Sequence, residues 1–374
     1  MKNTLRHAAH RLLLTALVAA GLAGSARADI TIGQTAGYTG TVAASVKEAT
    51  EGAKLYFDLV NAGGGVNGQK IALVSLDDKF DAKLAVANAK ALIDQGVIAL
   101  FLNRGTPLTQ AIMPLLTEHG IPLVGPSTGA MVLHKPVHPW LFNVRATYQR
   151  EAERAIEHLS LIGVERIAIV QVDDSFGDDA VQGALAGLAK TNKAPVAHEK
   201  YDRAKPDFAP LLPRLLAKQP QAVLFIGSGT AIVQGMKAVR AAGSTAQLVT
   251  LSNNATAGFV KDLGDIAHGV IVSQVFPYER SIAKPVIKEA MEAARTAGLE
   301  LTPTIVEGFV SAKVLVEGLR RAGKQPTRAS LRQALDSMGR YDLGGIELGY
   351  SPTDHSGLDY VDLSIVDQSG KFRR

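Results

Sequence analysis

Phe101 to Ala130 reads FLNRGTPLTQ AIMPLLTEHG IPLVGPSTGA: a strand end, a polar turn, a helix, a short strand and a second polar turn. Leu100-Phe101-Leu102 closes an apolar run, and Asn103-Arg104-Gly105-Thr106-Pro107 opens a helix. Thr106 is the expected N-cap and Pro107 the expected first helical residue. The helix should stop near Gly120. Ile121-Pro122-Leu123-Val124 then reads as a buried strand and Gly125-Pro126-Ser127-Thr128-Gly129 as the second turn. In a parallel α/β sheet both turns leave the carboxyl ends of neighbouring strands, where such folds place ligands. Small hydroxyls, backbone N–H groups and one arginine converge there, so this stretch is read as half of a small-molecule cleft.

The same alternation extends in both directions, the pattern of an α/β fold with parallel sheets. Ile30-Thr31-Ile32-Gly33 is the first strand. A helix follows from about Val42 to Val60, with Ala53, Tyr56, Phe57 and Val60 at helical spacing for the core. Gly63-Gly64-Gly65-Val66-Asn67-Gly68 ends that helix. A phosphate loop would follow a strand and open a helix, and here the order is reversed, so these glycines are read as turn geometry. Strands are expected at 70–76, 97–102 and 141–144. A second unit begins with a helix from Tyr148 and has strands at 166–172, 195–201, 222–226, 247–251 and 269–275, with a helix at 208–217 between two of them. Helices at 284–297, 303–322 and 328–338 are expected to return to the first unit, and 345–366 reads as strand-like. The division expected is 29–146 plus 279–343 for the first lobe and 147–278 plus 344–374 for the second, with the boundary near Arg145-Ala146-Thr147.

Residues 1–28 read as a cleaved export signal. Lys2, Arg6 and Arg11 make a basic start, Leu12 to Leu22 a short apolar core, and Ala26-Arg27-Ala28 a cleavage site. That apolar run is shorter than the about 20 residues that span a bilayer. The formal net charge of +5 over 374 residues falls close to neutral once the basic residues of the signal are set aside. No basic run with interleaved aromatics appears, so nucleic acid is not an expected partner. Cys 0 excludes disulfides, thiolate chemistry and a lipid anchor on cysteine. No G-x-S-x-G or H-E-x-x-H occurs, and His119, His134, His138, His158, His198, His268 and His355 are scattered, read as surface or capping residues. Asp77-Asp78 and Asp173-Asp174 read as strand ends and helix caps rather than metal ligands. An enzyme is therefore not expected, nor a cofactor or a metal.

The order of motifs resembles the periplasmic solute-binding proteins of branched-chain amino acid ABC transporters, the leucine/isoleucine/valine-binding type. The segments carrying the resemblance are Gly37–Gly40, Asp58–Gly68 (DLVNAGGGVNG) leading into Lys70–Asp78 (KIALVSLDD), Gly120–Ala130, Arg166–Gly177 (RIAIVQVDDSFG), and Ala241–Gly243 before Gln247. It implies the type I periplasmic binding protein fold: α/β, two Rossmann-like lobes joined by a hinge of three crossings, closing on a small-molecule ligand between them. It also implies a periplasmic monomer that serves a permease/ATPase complex; a sensor protein for a signalling partner is the rival reading.

In that family the turns after the third and fourth strands hold the ligand's carboxylate, here Asn103-Arg104-Gly105-Thr106 and Ser127-Thr128-Gly129. Arg104 stands where the family has a run of serines, with two residues apparently inserted. Tyr148, Phe176, Thr230 and Asn253 match ligand-contacting positions of the second lobe. Asn253 replaces the acid that receives the amino group of a bound amino acid, which argues for a carboxylate ligand other than an α-amino acid. Tyr38 and Phe176 are expected to wall its apolar part, with Tyr278 as a further contact. Glu307 is expected on a solvated helix face.

Overall fold

The computed structural model describes residues 29–374; the expected export signal lies outside the described residues. Five strands, β1 (Ile30–Ala36), β2 (Ile71–Asp77), β3 (Ala99–Phe101), β4 (Leu123–Val124) and β5 (Leu141–Phe142), form an all-parallel sheet in the order β2-β1-β3-β4-β5. Helices α1 (Ala43–Ala62), α2 (Ala82–Asp94) and α3 (Thr106–Glu118) connect its first four strands. The chain then crosses to a second unit through α4 (Tyr148–Leu161), β6 (Ile167–Val172), α5 (Ser175–Ala189), β7 (Ala197–Tyr201), α6 (Leu212–Ala217), β8 (Ala222–Ile226), α7 (Thr230–Ala241), β9 (Gln247–Thr250), α8 (Ala257–Leu263) and β10 (Ile271–Gln274). It returns to the first unit for α9 (Pro285–Thr296), α10 (Pro303–Arg321), α11 (Arg328–Asp336) and the hairpin β11 (Gly339–Asp342) with β12 (Glu347–Tyr350). A last crossing leads to β13 (Asp362–Val366) and β14 (Phe372–Arg373). The second sheet runs β14-β13-β10-β9-β8-β6-β7, with β13 and β14 added antiparallel at one edge.

Each lobe has its own core. β6 and β8 are buried along their whole length, because helices cover both faces of a parallel sheet. In the first lobe Phe101, Phe142, Val306 and Phe309 pack on one face of the sheet, and Leu92, Leu100, Ile112 and Leu116 on the other. The residues picked out on the first helix, Ala53, Tyr56, Phe57 and Val60, lie in the first core as expected. So do helices α9 to α11, through Ile287, Leu315 and Leu331.

The expected change of lobe at residue 344 comes too early. Leu348, Tyr350 and Leu358 pack in the first core, and the chain joins the second sheet only from β13 onward. Likewise Val275 and Phe276, placed in the second lobe by the sequence reading, pack in the first core. The helix expected from 208 starts at Leu212. Gly65 and Gly68 have positive φ and close the turn after α1, and a Cβ on Gly65 would lie 2.0 Å from the Gln69 carbonyl oxygen, which accounts for the glycine run without a phosphate.

The helices α1 and α10 cross at glycines. A Cβ on Gly308 would sit 1.8 Å from the Ala49 carbonyl oxygen, and one on Gly52 would sit 2.0 Å from that of Ile305. Backbone lies against backbone, so neither neighbour can rotate away. Gly308→Ala is expected to cost about 1–3 kcal/mol of stability by overpacking, read as a lower urea midpoint; an unchanged midpoint would show that the helices part freely.

Candidate functional site

The turns after β3 and β4 are tied together beyond the strand ends. The Ser127 amide donates to the Asn103 carbonyl at 2.8 Å, and Arg104 and Ser127 form an isolated parallel bridge. This extra rung holds Arg104 at the carboxyl edge of the sheet. Its side chain is 4% exposed. Nη1 donates to the Ser127 hydroxyl at 2.9 Å, and Nη2 reaches into the second lobe to donate to the Asn253 carbonyl at 2.8 Å. Among the described residues no carboxylate lies within ion-pair distance of it. Burial pulls its pKa down; Tyr148 and Glu307 oppose this, while Arg145 and Arg203 add like-charge repulsion. A buried cation bonded only to neutral acceptors is electrostatically incomplete.

The helix cap departs from expectation. Gly105, at φ +94°, is the N-cap of α3, and Thr106 is its first residue. The Thr106 hydroxyl is bonded instead to that of Thr128 at 2.7 Å, joining the two turns. Gly129 anchors the first crossing where α4 begins, its carbonyl accepting from the Tyr148 amide at 2.8 Å. Tyr148 and Phe176 pack against each other in the second core with ring centroids 4.5 Å apart, and the Arg145 guanidinium lies over the Tyr148 ring at 4.8 Å. Asn253 donates through Nδ2 to the Gly227 carbonyl and the Ser228 hydroxyl, leaving a buried Oδ1 with no hydrogen-bond partner. The Thr230 amide donates to the Thr41 carbonyl of the first lobe at 3.3 Å, and its side chain is exposed. A cavity of about 180 Å³ separates the lobes beside these contacts, lined by residues from Gly40 to Ser45 on one side and by Gly229, Thr230, Val233 and Asn253 on the other.

Two expected contacts lie elsewhere. The Tyr38 hydroxyl turns into its own lobe, bonded to Gln34 at 2.6 Å and Thr50 at 3.0 Å, while its ring packs with Phe80 on Val42 and Val46. Tyr278 packs on the C-terminus, its hydroxyl donating to the Phe372 carbonyl with Arg374 over its ring, because residues 275–279 run along the hinge. The Asp pairs behave as read: Asp174 caps α5, and Asp78 accepts from Thr35 and the Phe80 amide. No group of three metal-binding side chains occurs among the described residues.

Residues 29–371 match the family described as Periplasmic binding protein. The chain belongs to the periplasmic binding protein family. The fold superposes on a substrate-binding periplasmic protein from Ralstonia solanacearum with TM-score 0.85 and 34% identity, covering 92% of this chain and 99% of that one. A possible leucine/isoleucine/valine-binding protein from Rhodopirellula baltica gives TM-score 0.87 and 25% identity, covering 93% and 97%. The Leu/Ile/Val-binding protein of Escherichia coli K12 is 25% identical over 287 residues, 76% of this chain and 78% of that protein. The family is one of solute-binding rather than enzymatic proteins, with a periplasmic location.

In this periplasmic binding protein the sequence reading missed a buried charge cluster at the first crossing. Arg145 is 1% exposed and Glu151 0%. Arg145 donates to Glu151 and to the Ser252 hydroxyl at 2.5 Å each, and reaches Glu307 of the first lobe at 3.4 Å. The second Glu151 oxygen accepts from the Ser252 amide and the Ser273 hydroxyl. Burial works against the Arg145 charge, but Glu307, Tyr148 and Glu151 together raise its pKa. Glu307 is thus buried, not on a solvated face, because α10 is wrapped by both lobes. His134 and His355, expected at the surface, are also buried; His355 bonds Asp336 and the Leu141 carbonyl. The available signal was weak: an acid in the first turn of α4, six residues after an arginine.

Glu48 on α1 is a second link between the lobes. It accepts from the Gly258 amide of the second lobe at 3.3 Å and from the Thr302 hydroxyl at 2.7 Å. Burial raises its pKa to about 7.

Two outcomes follow from these groups. Glu151→Ala leaves Arg145 short of a counter-charge in a dry site and is expected to cost on the order of 3–5 kcal/mol, measured by denaturant unfolding; a loss below 1 kcal/mol would mean that water or Glu307 takes over. Parting the lobes opens Glu48 to water and relieves the burial that raises its pKa, which outweighs the lost Gly258 bond and returns it toward the ordinary carboxylate value of 4.5, so closure takes up a proton. Its contribution is complete below that value and is lost as pH rises through about 7. Interlobe fluorescence transfer should report more closure as pH falls through 7 and no such dependence in Glu48→Gln.

Proposed function

We propose that this protein is the extracytoplasmic solute-binding component of an ABC importer of the branched-chain amino acid type. Its ligand is a small carboxylate, aromatic or branched, and not an α-amino acid. The carrying observation is Arg104: buried at the lobe interface, bonded to both lobes and without a carboxylate of its own. A ligand carboxylate completes that cation, with a charge-assisted bond of about 1.5–3 kcal/mol. Ser127 and the Thr106–Thr128 pair border the same point, and the Tyr148–Phe176 rings offer an apolar wall. Asn253 at the position of the family's ammonium-binding acid weighs against an α-amino acid.

The remaining roles follow from this reading. Export uses the signal in residues 1–28, and the closed monomer delivers its ligand to a membrane permease with its ATPase. Contacts from both lobes make a ligand favour closure by its differential affinity. The competing reading is a true branched-chain amino acid binder. It draws on the relatives named for leucine, isoleucine and valine, and on the free Oδ1 of Asn253 as an acceptor for an amino group.

Titration calorimetry separates the two. Across aliphatic and aromatic acids, the best carboxylate should lose about tenfold or more in affinity in Arg104→Ala, and leucine and valine should bind weakly. Unchanged affinity in the variant discards the role of Arg104, and tight binding of leucine or valine discards the exclusion of amino acids.

A further inference from the structure

A second guanidinium approaches the same turn from the opposite lobe. Arg203 follows β7, and its guanidinium carbon lies 5.1 Å from the centre of the Phe80 ring, which follows β2 in the first lobe. That ring rests on Gly105: a Cβ there would lie 2.6 Å and 2.8 Å from two of its carbons. Arg203 therefore stacks on Phe80, and Phe80 on the turn that carries Arg104, so contacts run from one lobe to the other. Lys79 and Phe80 both hold positive φ, at +53° and +61°. This conformation is costly for bulky side chains and persists where surrounding structure enforces it. It sets the ring against both Gly105 and Arg203.

The charges around this stack are unequally matched. Arg145 has Glu151 and Glu307. Arg203 pairs with Asp174 through Nε at 2.5 Å, but its Nη2 is buried without a hydrogen-bond partner. Arg104 has neutral partners alone, and Arg203 adds to the repulsion it feels. A single carboxylate on Arg104 leaves the Arg203 donor unused. We propose that the ligand carries two acid groups, one held by Arg104 of the first lobe and the other by Nη2 of Arg203 in the second, so that Arg203 selects small dicarboxylates. This rests on the carboxylate reading of the Arg104 site and narrows it. A diacid held at both ends also spans the cleft, which couples recognition to closure.

The test sets each diacid against its own monoamide, which keeps the shape and removes one charge. Succinate, glutarate, adipate and phthalate are titrated calorimetrically into the full mature chain and into Arg203→Met, Arg203→Lys and Arg104→Met, with melting temperatures as the folding control. At least one diacid should bind wild type about tenfold or more tighter than its monoamide. Arg203→Met should collapse that preference, losing far more diacid than monoamide affinity, and Arg203→Lys should restore part of it. Arg104→Met should weaken both. Equal binding of diacid and monoamide by wild type, or a preference that survives Arg203→Met, overturns the proposal while leaving the carboxylate reading intact. Binding of neither form, or acid affinity unchanged in Arg104→Met, overturns the carboxylate reading and this proposal with it. The wild-type comparison decides even where a variant fails to fold.

Discussion

A cation that bonds a backbone carbonyl of the opposite lobe, in a site closed to water, constrains everything else in this protein. Arg104 has exchanged hydration for Ser127 and the Asn253 carbonyl. Carbonyl and hydroxyl dipoles compensate a guanidinium only in part. The turn that carries it is fixed on both sides, by the Ser127–Asn103 bond and by the Thr106–Thr128 hydroxyl pair. The charge therefore cannot escape by local rearrangement while the lobes are together. Relief comes from opening, or from an anion that enters before closing.

The first crossing shows the opposite solution to the same problem. Arg145 is buried as deeply, yet two carboxylates and the Ser252 hydroxyl surround it. Its acids come from different lobes, Glu151 from the second and Glu307 from the first. This cluster fixes where the hinge sits, whereas Arg104 leaves a charge for something else to meet. Two arginines of equal burial thus do different work, and the difference lies wholly in the carboxylates within reach.

Much of the architecture is legible along the chain, because parallel strands covered on both faces leave apolar runs, and the turns between them leave hydroxyls and glycines. The quoted turns do meet at one sheet edge, and Arg104 stands there as its spacing implies. What local pattern cannot report is which distant loop lies opposite. Phe80 and Arg203 are ordinary loop residues until the lobes bring them together. Glu307 has the spacing of an exposed helical acid, and only the wrapping of α10 by both lobes buries it. Tyr278 follows a strand in the manner of a ligand contact, but its loop runs along the hinge to the C-terminus. The stretch from 345 reads as strand-like and as part of the second lobe, yet Leu348 and Tyr350 of β12 carry it into the first core. In each case the deciding contact is between segments tens to hundreds of residues apart.

The contacts between the lobes are largely polar, at Arg104 and again at Glu48, and this bears on how closure is driven. Apolar lobe faces would adhere without a ligand, since burying them is favourable whatever the cleft contains. Here the meeting groups include Arg104 with Asn253, Arg145 with Glu307, Arg203 with Phe80, the Thr41 carbonyl with the Thr230 amide, and Glu48 with the Gly258 amide. Each exchanges water for a protein partner at little net gain, and Arg104 and Glu48 each bring a desolvation cost. On the proposed reading an anion on Arg104 favours closure, because its attraction to the guanidinium strengthens as water is excluded. On that reading the free energy that holds the lobes shut comes from the solute itself, which would make the closed surface a report of occupancy.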